Sequence, residues 1–139
     1  PDVIHCQGWF SSLVPMYIKK LYAGDPLFED VKVIYSVFDN TYQGVLSSTL
    51  VEKLLFEDLE DTDIAMLKKS NITNLHKHAI DYADAVVQAS ANIQKEVLEH
   101  IKSSEKPFME YPGEEDYIDA YQDFYQQFIE EEEVALIEN

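Results

Sequence analysis

Arginine is absent from the chain: all ten basic residues are lysines, against 27 acidic residues, and the formal net charge is −17. Without a guanidinium group, the chain lacks the side chain that binds phosphate or guanine through two parallel hydrogen bonds. The net charge would also repel a polyanion unless basic residues were grouped, and the sequence contains no such group. We therefore expect no nucleic-acid partner.

Cysteine and long hydrophobic runs are also scarce. Cys6 is the only cysteine, so no internal disulfide can form, and a reducing cytoplasm is the simplest setting. No apolar stretch approaches the roughly 20 residues of a membrane-spanning helix, and the first residues lack the basic and apolar regions of a signal peptide. These absences predict a cytoplasmic protein with no membrane partner.

Hydrophobic residues are plentiful, at 46% of 139 residues, and this is enough for one packed domain over residues 1–139. Three short apolar runs rich in β-branched residues are typical of buried strands: 3–6, 31–38 and 84–89. Apolar residues at helical spacing predict the intervening helices: 9–22, 47–57, 71–83 and one capped by Ser90. This alternation predicts an α/β fold, a three-layer Rossmann-like parallel sheet with crossover helices.

Two segments carry prolines that bear on this pattern. Pro15 fits a first helix that starts near Ser11, because the first turn of a helix has no intrahelical N–H to lose. The segment 107–112, with a proline at each end, interrupts the pattern, and a last amphipathic helix is predicted over about 114–130. Its aromatic stripe from Tyr117 to Phe128 is interpreted as a packing face. The glutamates at 130–133 lie at the wrong end of the helix dipole, and we expect fraying there.

Ligands of open parallel sheets bind beyond the carboxyl ends of the strands. The segment from His5 to Trp9 follows the first predicted strand, Asp39 to Gly44 follows the second, and Ala89 to Asn92 follows the third. We expect the first two loops to share one rim of the molecule, where a ligand could lie.

The amino-acid sequences of these loops and their flanking segments resemble those of a known family. The segments PDVIHCQGWFSSLVPMYIKK, VIYSVFDNTYQG and NLHKHAIDYADAVVQAS resemble, in this order, three segments of the N-terminal catalytic domain of bacterial glycogen synthases and plant starch synthases. The resemblance implies a two-domain GT-B glycosyltransferase. Such an enzyme transfers glucose from ADP-glucose or UDP-glucose to an α-1,4-glucan with retention. Its expected partners are a nucleotide-sugar and an α-glucan, and no metal or other cofactor is implied.

The resemblance also shows what this chain does not contain. The family begins with a strand and a Lys-x-Gly-Gly loop and continues into a second, nucleotide-binding domain. We therefore interpret residues 1–106 as the latter part of the first domain and 107–139 as a closing helix and acidic tail. The fragment is expected to be inactive alone. An uncovered sheet edge is expected to make it self-associate. A native protein with only one domain is the alternative.

The resemblance places the candidate sugar-binding residues in the first two loops: His5, Gln7, Gly8, Trp9, Asp39, Asn40, Tyr42, Gln43 and Gly44. Two departures bear on catalysis, since Gln7-Gly8 stands where the family has His-Asp, and Phe38-Asp39 where it has His-Asn. Glutamine can hydrogen-bond a hydroxyl but cannot shuttle a proton. No catalytic residue is assigned, and a non-catalytic sugar-binding or regulatory protein is the alternative function.

Several candidate residues also have a purely structural interpretation. His5 is either a sugar contact or a hydrogen-bonded histidine buried under the next helix. Trp9 is either a core anchor or a sugar platform, and Gly44 could serve only the turn. His76 and His78 are two residues apart on a helix, whereas a metal pair favours a spacing of three or four, so no metal site is predicted.

Overall fold

The computed structural model describes residues 1–40, 42, 44–55 and 58–138, with side chains described as far as Ile129. Four parallel strands form one sheet in the order β1-β2-β3-β4. Their bounds are Val3–Gln7 for β1, Lys32–Val37 for β2, Ala85–Gln88 for β3 and Phe108–Met109 for β4. The α/β architecture and the first three strands were predicted correctly. The short β4 was missed because the segment 107–112 was read only as a break.

The segment between β1 and β2 is helical but irregular, unlike the continuous helix predicted over 9–22. It contains a 3-10 turn at Trp9–Ser11, a short α1 at Val14–Met16 and a π-helical turn at Tyr17–Leu21. The π turn closes where the Tyr22 N–H donates to the Tyr17 carbonyl oxygen at 3.0 Å. Pro15 lies in the first turn of α1, where its missing N–H costs no hydrogen bond.

The β2-to-β3 connection contains α2 at Leu50–Leu54, a 3-10 turn at Ala65–Lys68 and α3 at Ile72–Tyr82. The 3-10 turn was not predicted. Asn71 caps α3, since its side-chain oxygen accepts from the Asn74 N–H at 2.8 Å. This connection and the helical segment after β1 form an apolar cluster of their own.

The β3-to-β4 connection holds α4 at Lys95–Ser104, and Ser90 does not cap it, so that prediction was wrong. The Ser90 hydroxyl instead accepts from the backbone N–H of Asp39 at 2.8 Å and joins the loops after β2 and β3. Beyond α4, the Lys106 ammonium donates to the carbonyl oxygens at the end of α3, those of Ile80, Asp81 and Ala83, each at 2.6 Å. This arrangement satisfies three terminal carbonyl groups.

Alternate strand residues pack in opposite directions and give the sheet two covered faces. One face, which includes Val33, Tyr35 and Val86, packs against α3 and α4. The other face, which includes Ile34 and Val87, packs against α5 at Tyr117–Glu138. The helices therefore cover both sides of the sheet, as the three-layer prediction requires.

Helix α5 starts three residues later than predicted and its backbone continues to Glu138. Phe124 and Phe128 are buried against the sheet, as expected of the aromatic stripe. Tyr117, Ile118 and Ile129 are exposed instead, so the stripe as a whole is not a packing face. The side chains of the acidic run lie outside the described residues, and its fraying stays a prediction. Among the described residues, none of the helices combines the length and apolarity needed to cross a bilayer.

Candidate functional site

The loops after β1 and β2 lie side by side, as the sequence predicts. In the sheet, Gln7 is paired with Ser36, and the Gly8 N–H donates to the Ser36 carbonyl oxygen at 3.0 Å. Because both strands are parallel, their carboxyl ends meet at one edge. We call the described residues of these loops, Gln7 to Trp9 together with Asp39, Asn40, Tyr42 and Gly44, the carboxyl rim.

Gly8 sets the direction in which the chain leaves β1. Its φ of 72° lies in the region that side-chain-bearing residues rarely adopt, and its carbonyl oxygen accepts from the N–H and hydroxyl of Ser11. The turn leaves the Gln7 side chain exposed at the strand end and starts the 3-10 turn at Trp9. A glycine here is therefore required by the backbone.

An aromatic surface lies beside this turn. The Trp9 ring stacks on the Tyr42 ring with centroids 5.9 Å apart and an interplanar angle of 12°, and it also contacts the Phe10 ring at 3.9 Å. Trp9 is half-buried against the apolar cluster of the β2-to-β3 connection, whereas Phe10 is 85% exposed and Tyr42 is 47% exposed. Trp9 thus serves as a core anchor and also presents part of its ring at the rim.

Gly44 is required by a close contact, and not by an unusual turn conformation as the sequence analysis allowed. A β-carbon at this position would lie 2.0 Å from the Tyr42 ring, so any side chain would displace that ring. The absence of a side chain at Gly44 lets Tyr42 remain stacked on Trp9. Gln43, which the sequence analysis proposed as a sugar contact, lies outside the described residues.

Asp39 and Asn40 hold the second loop in place. The Asp39 side chain is exposed while its N–H donates to Ser90, and the Asn40 side-chain oxygen accepts from the Tyr42 N–H at 3.1 Å. The Asn40 side-chain nitrogen is buried and finds no hydrogen-bond partner among the described residues. It is a donor that the rim itself leaves unsatisfied.

A cleft of about 770 Å³ opens between the carboxyl ends of the strands and α5. Gln7, Phe38 and Ala89 form the side of the cleft nearest the sheet. They lie at the carboxyl ends of the strands, on the same face of the sheet as the residues that α5 covers. The opposite wall consists of 111–114 and the exposed side of α5. Five of the fourteen described residues that line the cleft are aromatic, and this volume, concavity and aromatic content are typical of small-molecule sites.

His5 lies beneath α5 and is half-buried. Its Nδ1 pairs with the Tyr125 hydroxyl, its Nε2 pairs with the Ser36 hydroxyl at 2.5 Å, and its ring stacks on Tyr121. Burial lowers the pKa of His5 to about 4, so the ring is neutral at pH 7. This is the hydrogen-bonded interpretation of His5, although the covering helix is α5 and not the next helix in sequence.

His76 and His78 are both buried in α3. The His76 Nδ1 pairs with the Tyr35 hydroxyl at 2.8 Å, and the Nε2 atoms of both histidines find no partner in the described part of the chain. Burial lowers the pKa of each to about 4. No group of three potential metal ligands occurs among the described residues.

Comparison with known proteins decides the family. Residues 1–108 match the family profile of the starch synthase catalytic domain. The chain belongs to this family. The match covers β1 to the start of β4, and therefore both loops of the carboxyl rim.

Curated relatives agree with this starch synthase assignment. The chain is 31% identical over 97 residues to a glycogen synthase of Desulfitobacterium hafniense, covering 70% of this chain and 21% of the relative. It is 32% identical over 104 residues to a glycogen synthase of Chlorobaculum parvum, covering 75% of this chain and 21% of the relative. The chain therefore spans about a fifth of the length of the relatives it matches.

Sequence reasoning missed part of this candidate site. Phe10 was taken only as a helical apolar residue, and the α5 wall of the cleft lies outside the matched region. Tyr117, Tyr121 and Tyr125 recur at intervals of four, which places them along one side of a helix. That spacing was visible in the sequence, but it does not show how much of each ring stays exposed.

Proposed function

We propose that this chain is part of the catalytic domain of a glycogen or starch synthase-type glycosyltransferase with a GT-B fold. In the whole protein, glucose would pass from ADP-glucose or UDP-glucose to an α-1,4-glucan in glycogen biosynthesis. The family match over residues 1–108 and the names of the relatives support this proposal. Residues 1–139 would form one domain, with 1–106 as the family core and 107–139 as the closing segment.

The carboxyl rim is the proposed carbohydrate contact. The observation that carries this role is the meeting of the two family loops at one edge, where the exposed parts of Trp9 and Tyr42 adjoin polar groups. Sugar rings have apolar faces that pack on aromatic rings, and hydroxyl groups that pair with amides such as those of Gln7 and Asn40. Gln43 and His5 belong to the same proposal, although both nitrogens of His5 are already paired.

The fragment is proposed to be inactive alone. A nucleotide-sugar carries a diphosphate, which proteins usually bind with cationic side chains or free backbone N–H groups. The described residues of the carboxyl rim and of the cleft include no lysine. The donor would then bind residues supplied by the rest of the protein.

Titration with maltoheptaose tests the proposed carbohydrate contact. Trp9 is the only tryptophan of the chain, so its emission reports on the rim when it is excited at a wavelength that the nine tyrosines do not absorb. We expect a saturable emission change with a dissociation constant of about 1 mM or below. The β-linked cellohexaose serves as the control sugar and should give a weaker response. A flat emission signal at millimolar maltoheptaose would contradict the proposal.

A non-catalytic sugar-binding or regulatory protein is the second candidate function. Gln7 and Phe38, the positions where the family pattern has two histidines, both line the same cleft. The cleft therefore lacks both imidazoles, while its aromatic residues are suited to binding. The complete reading frame distinguishes the two functions: an upstream Lys-x-Gly-Gly loop and a downstream nucleotide domain support the enzyme.

Self-association of the isolated chain is a further part of the proposal. Strand β1 has one neighbouring strand among the described residues, and beside it a hollow is lined by Ile4, Tyr22 and Phe28. Apolar surface at a sheet edge recruits partners. Light scattering at rising concentration should give a mass above the 16.0 kDa of one chain. A constant monomer mass at high concentration would refute this part.

A cytoplasmic location also remains a proposal. The single cysteine supports it, because Cys6 is buried and burial raises the pKa of its thiol to about 11. A buried thiol of this kind is poorly suited to disulfide exchange.

A further inference from the structure

The cleft between the strand ends and α5 has walls of different origin. Gln7, Phe38 and Ala89 belong to the region that matches the family, whereas the opposite wall lies between residues 111 and 129, beyond the matched residues 1–108. We propose that this second wall is a binding surface for a linear, neutral oligosaccharide, in continuity with the carboxyl rim. The proposal rests on the proposed function and adds the residues of α5 to the site.

A row of tyrosines gives this wall its shape. The rings of Tyr117 and Tyr121 have centroids 6.3 Å apart and an interplanar angle of 86°, and those of Tyr121 and Tyr125 are 6.1 Å apart at 75°, so neighbouring rings stand nearly perpendicular to each other. Eight helical residues rise about 12 Å, so the row is longer than one sugar ring. A chain of two or more sugar units can pack along it, whereas a single hexose would contact only one end.

Amide groups lie next to the rings. Gln122 and Gln126 line the cleft from α5, Gln7 lines it from β1, and all three side chains are exposed. Each amide can donate to one hydroxyl group and accept from another. Rings that pack on apolar sugar faces, together with amides that pair with hydroxyl groups, match the two kinds of surface of a glucan.

Charge selects a neutral ligand over a nucleotide-sugar. Glu114 is the one charged residue among the described residues that line the cleft, and no cationic side chain lines it. A diphosphate would meet this carboxylate without a compensating cation, which is unfavourable in a partly desolvated site. The cleft therefore suits the glucan and not the sugar-nucleotide donor.

The test compares maltoheptaose binding by the full 139-residue chain and by single-residue variants, measured by calorimetry. Leu27 is 68% exposed and lines neither the cleft nor the hollow beside β1, so Leu27→Ala is the control for Tyr117→Ala, whose side chain is 50% exposed. Loss of one aromatic contact should weaken binding roughly fivefold in Tyr117→Ala, and the affinity of Leu27→Ala should equal that of the wild-type chain. Tyr117→Phe keeps the ring and should restore most of the affinity, and Gln122→Ala should weaken binding without removing a ring.

The outcomes separate this inference from the proposed function. Equal affinity of the wild-type chain, Tyr117→Ala and Gln122→Ala, with Trp9 still responding to the sugar, would overturn the role of α5 and leave the rim intact. An absence of maltoheptaose binding by the wild-type chain would overturn both. ADP-glucose serves as the anionic probe, and tighter binding of ADP-glucose than of maltoheptaose, lost in Tyr117→Ala, would overturn the choice of a neutral ligand.

Discussion

Acidification from pH 7 to pH 5 is expected to lower the free energy of unfolding by about 4 kcal/mol, because His76 and His78 must stay neutral in the folded chain. Burial lowers the pKa of each to about 4, while an exposed histidine in the unfolded chain titrates near its ordinary value of 6.5. The unfolded state therefore binds more protons between these pH values. The contribution of the neutral histidines to the free energy of unfolding is fully present above about pH 6.5 and is lost progressively as the pH falls toward 4. His5 contributes in the same direction.

Urea unfolding at pH 7, 6 and 5 measures this effect. The variant His78→Gln removes one titrating ring, so its loss of stability over this range should be about 2 kcal/mol smaller than that of the wild-type chain. In both chains the paired carboxylates of Asp63 and Glu96 stay ionised in this range, because their lysine partners lower their pKa values. A free energy of unfolding that is constant from pH 7 to pH 5 would contradict the buried, neutral histidines.

The substitution Phe124→Ala is expected to cost about 3–5 kcal/mol, because it leaves a cavity between α5 and the sheet. Phe124 is 6% exposed, lies in the cluster that contains Ile34 and Val87, and meets the Phe128 ring edge-on with centroids 5.3 Å apart. Its removal should also loosen the contact between Tyr125 and His5, which lies under the same helix. The measurement is the free energy of unfolding at pH 7.

Ile118→Ala is the matched control for the packing of α5. Ile118 lies on the same helix but is 63% exposed, so its truncation should change stability by less than about 0.5 kcal/mol. Equal, small effects of both substitutions would mean that α5 does not pack on the sheet. The second wall of the cleft would then lose its support.

The first three strands were predictable because short apolar runs rich in β-branched residues favour a buried strand over a helix. The runs at 3–6, 31–38 and 84–89 each became a strand within a residue or two of the predicted bounds. The two residues of β4 were too few to form a pattern. Ser90 was misassigned because a serine before a helical period can cap the helix or bond another loop, and the choice depends on the distant Asp39.

The carboxyl rim was predictable from topology alone, since parallel strands bring their carboxyl ends to one edge. The hydrogen-bond partners of the residues near this edge were not predictable from the sequence. His5 pairs with Tyr125, which is 120 residues away, and no local pattern encodes such a contact. The aromatic stripe of α5 was recognised as amphipathic, but the sheet is too short to cover its first turns. Tyr117 and Ile118 therefore remain exposed beside the cleft.

Chemical-shift mapping of the isotope-labelled chain with maltoheptaose tests the central claim most directly, since it reports every backbone N–H at once. The account predicts saturable shifts at Gln7 to Trp9, at Asp39 to Tyr42 and along the exposed side of α5. It would be contradicted by the absence of any shift at millimolar sugar. Shifts confined to the amino ends of the strands, near Asp2, Val31 and Asp84, would contradict it equally.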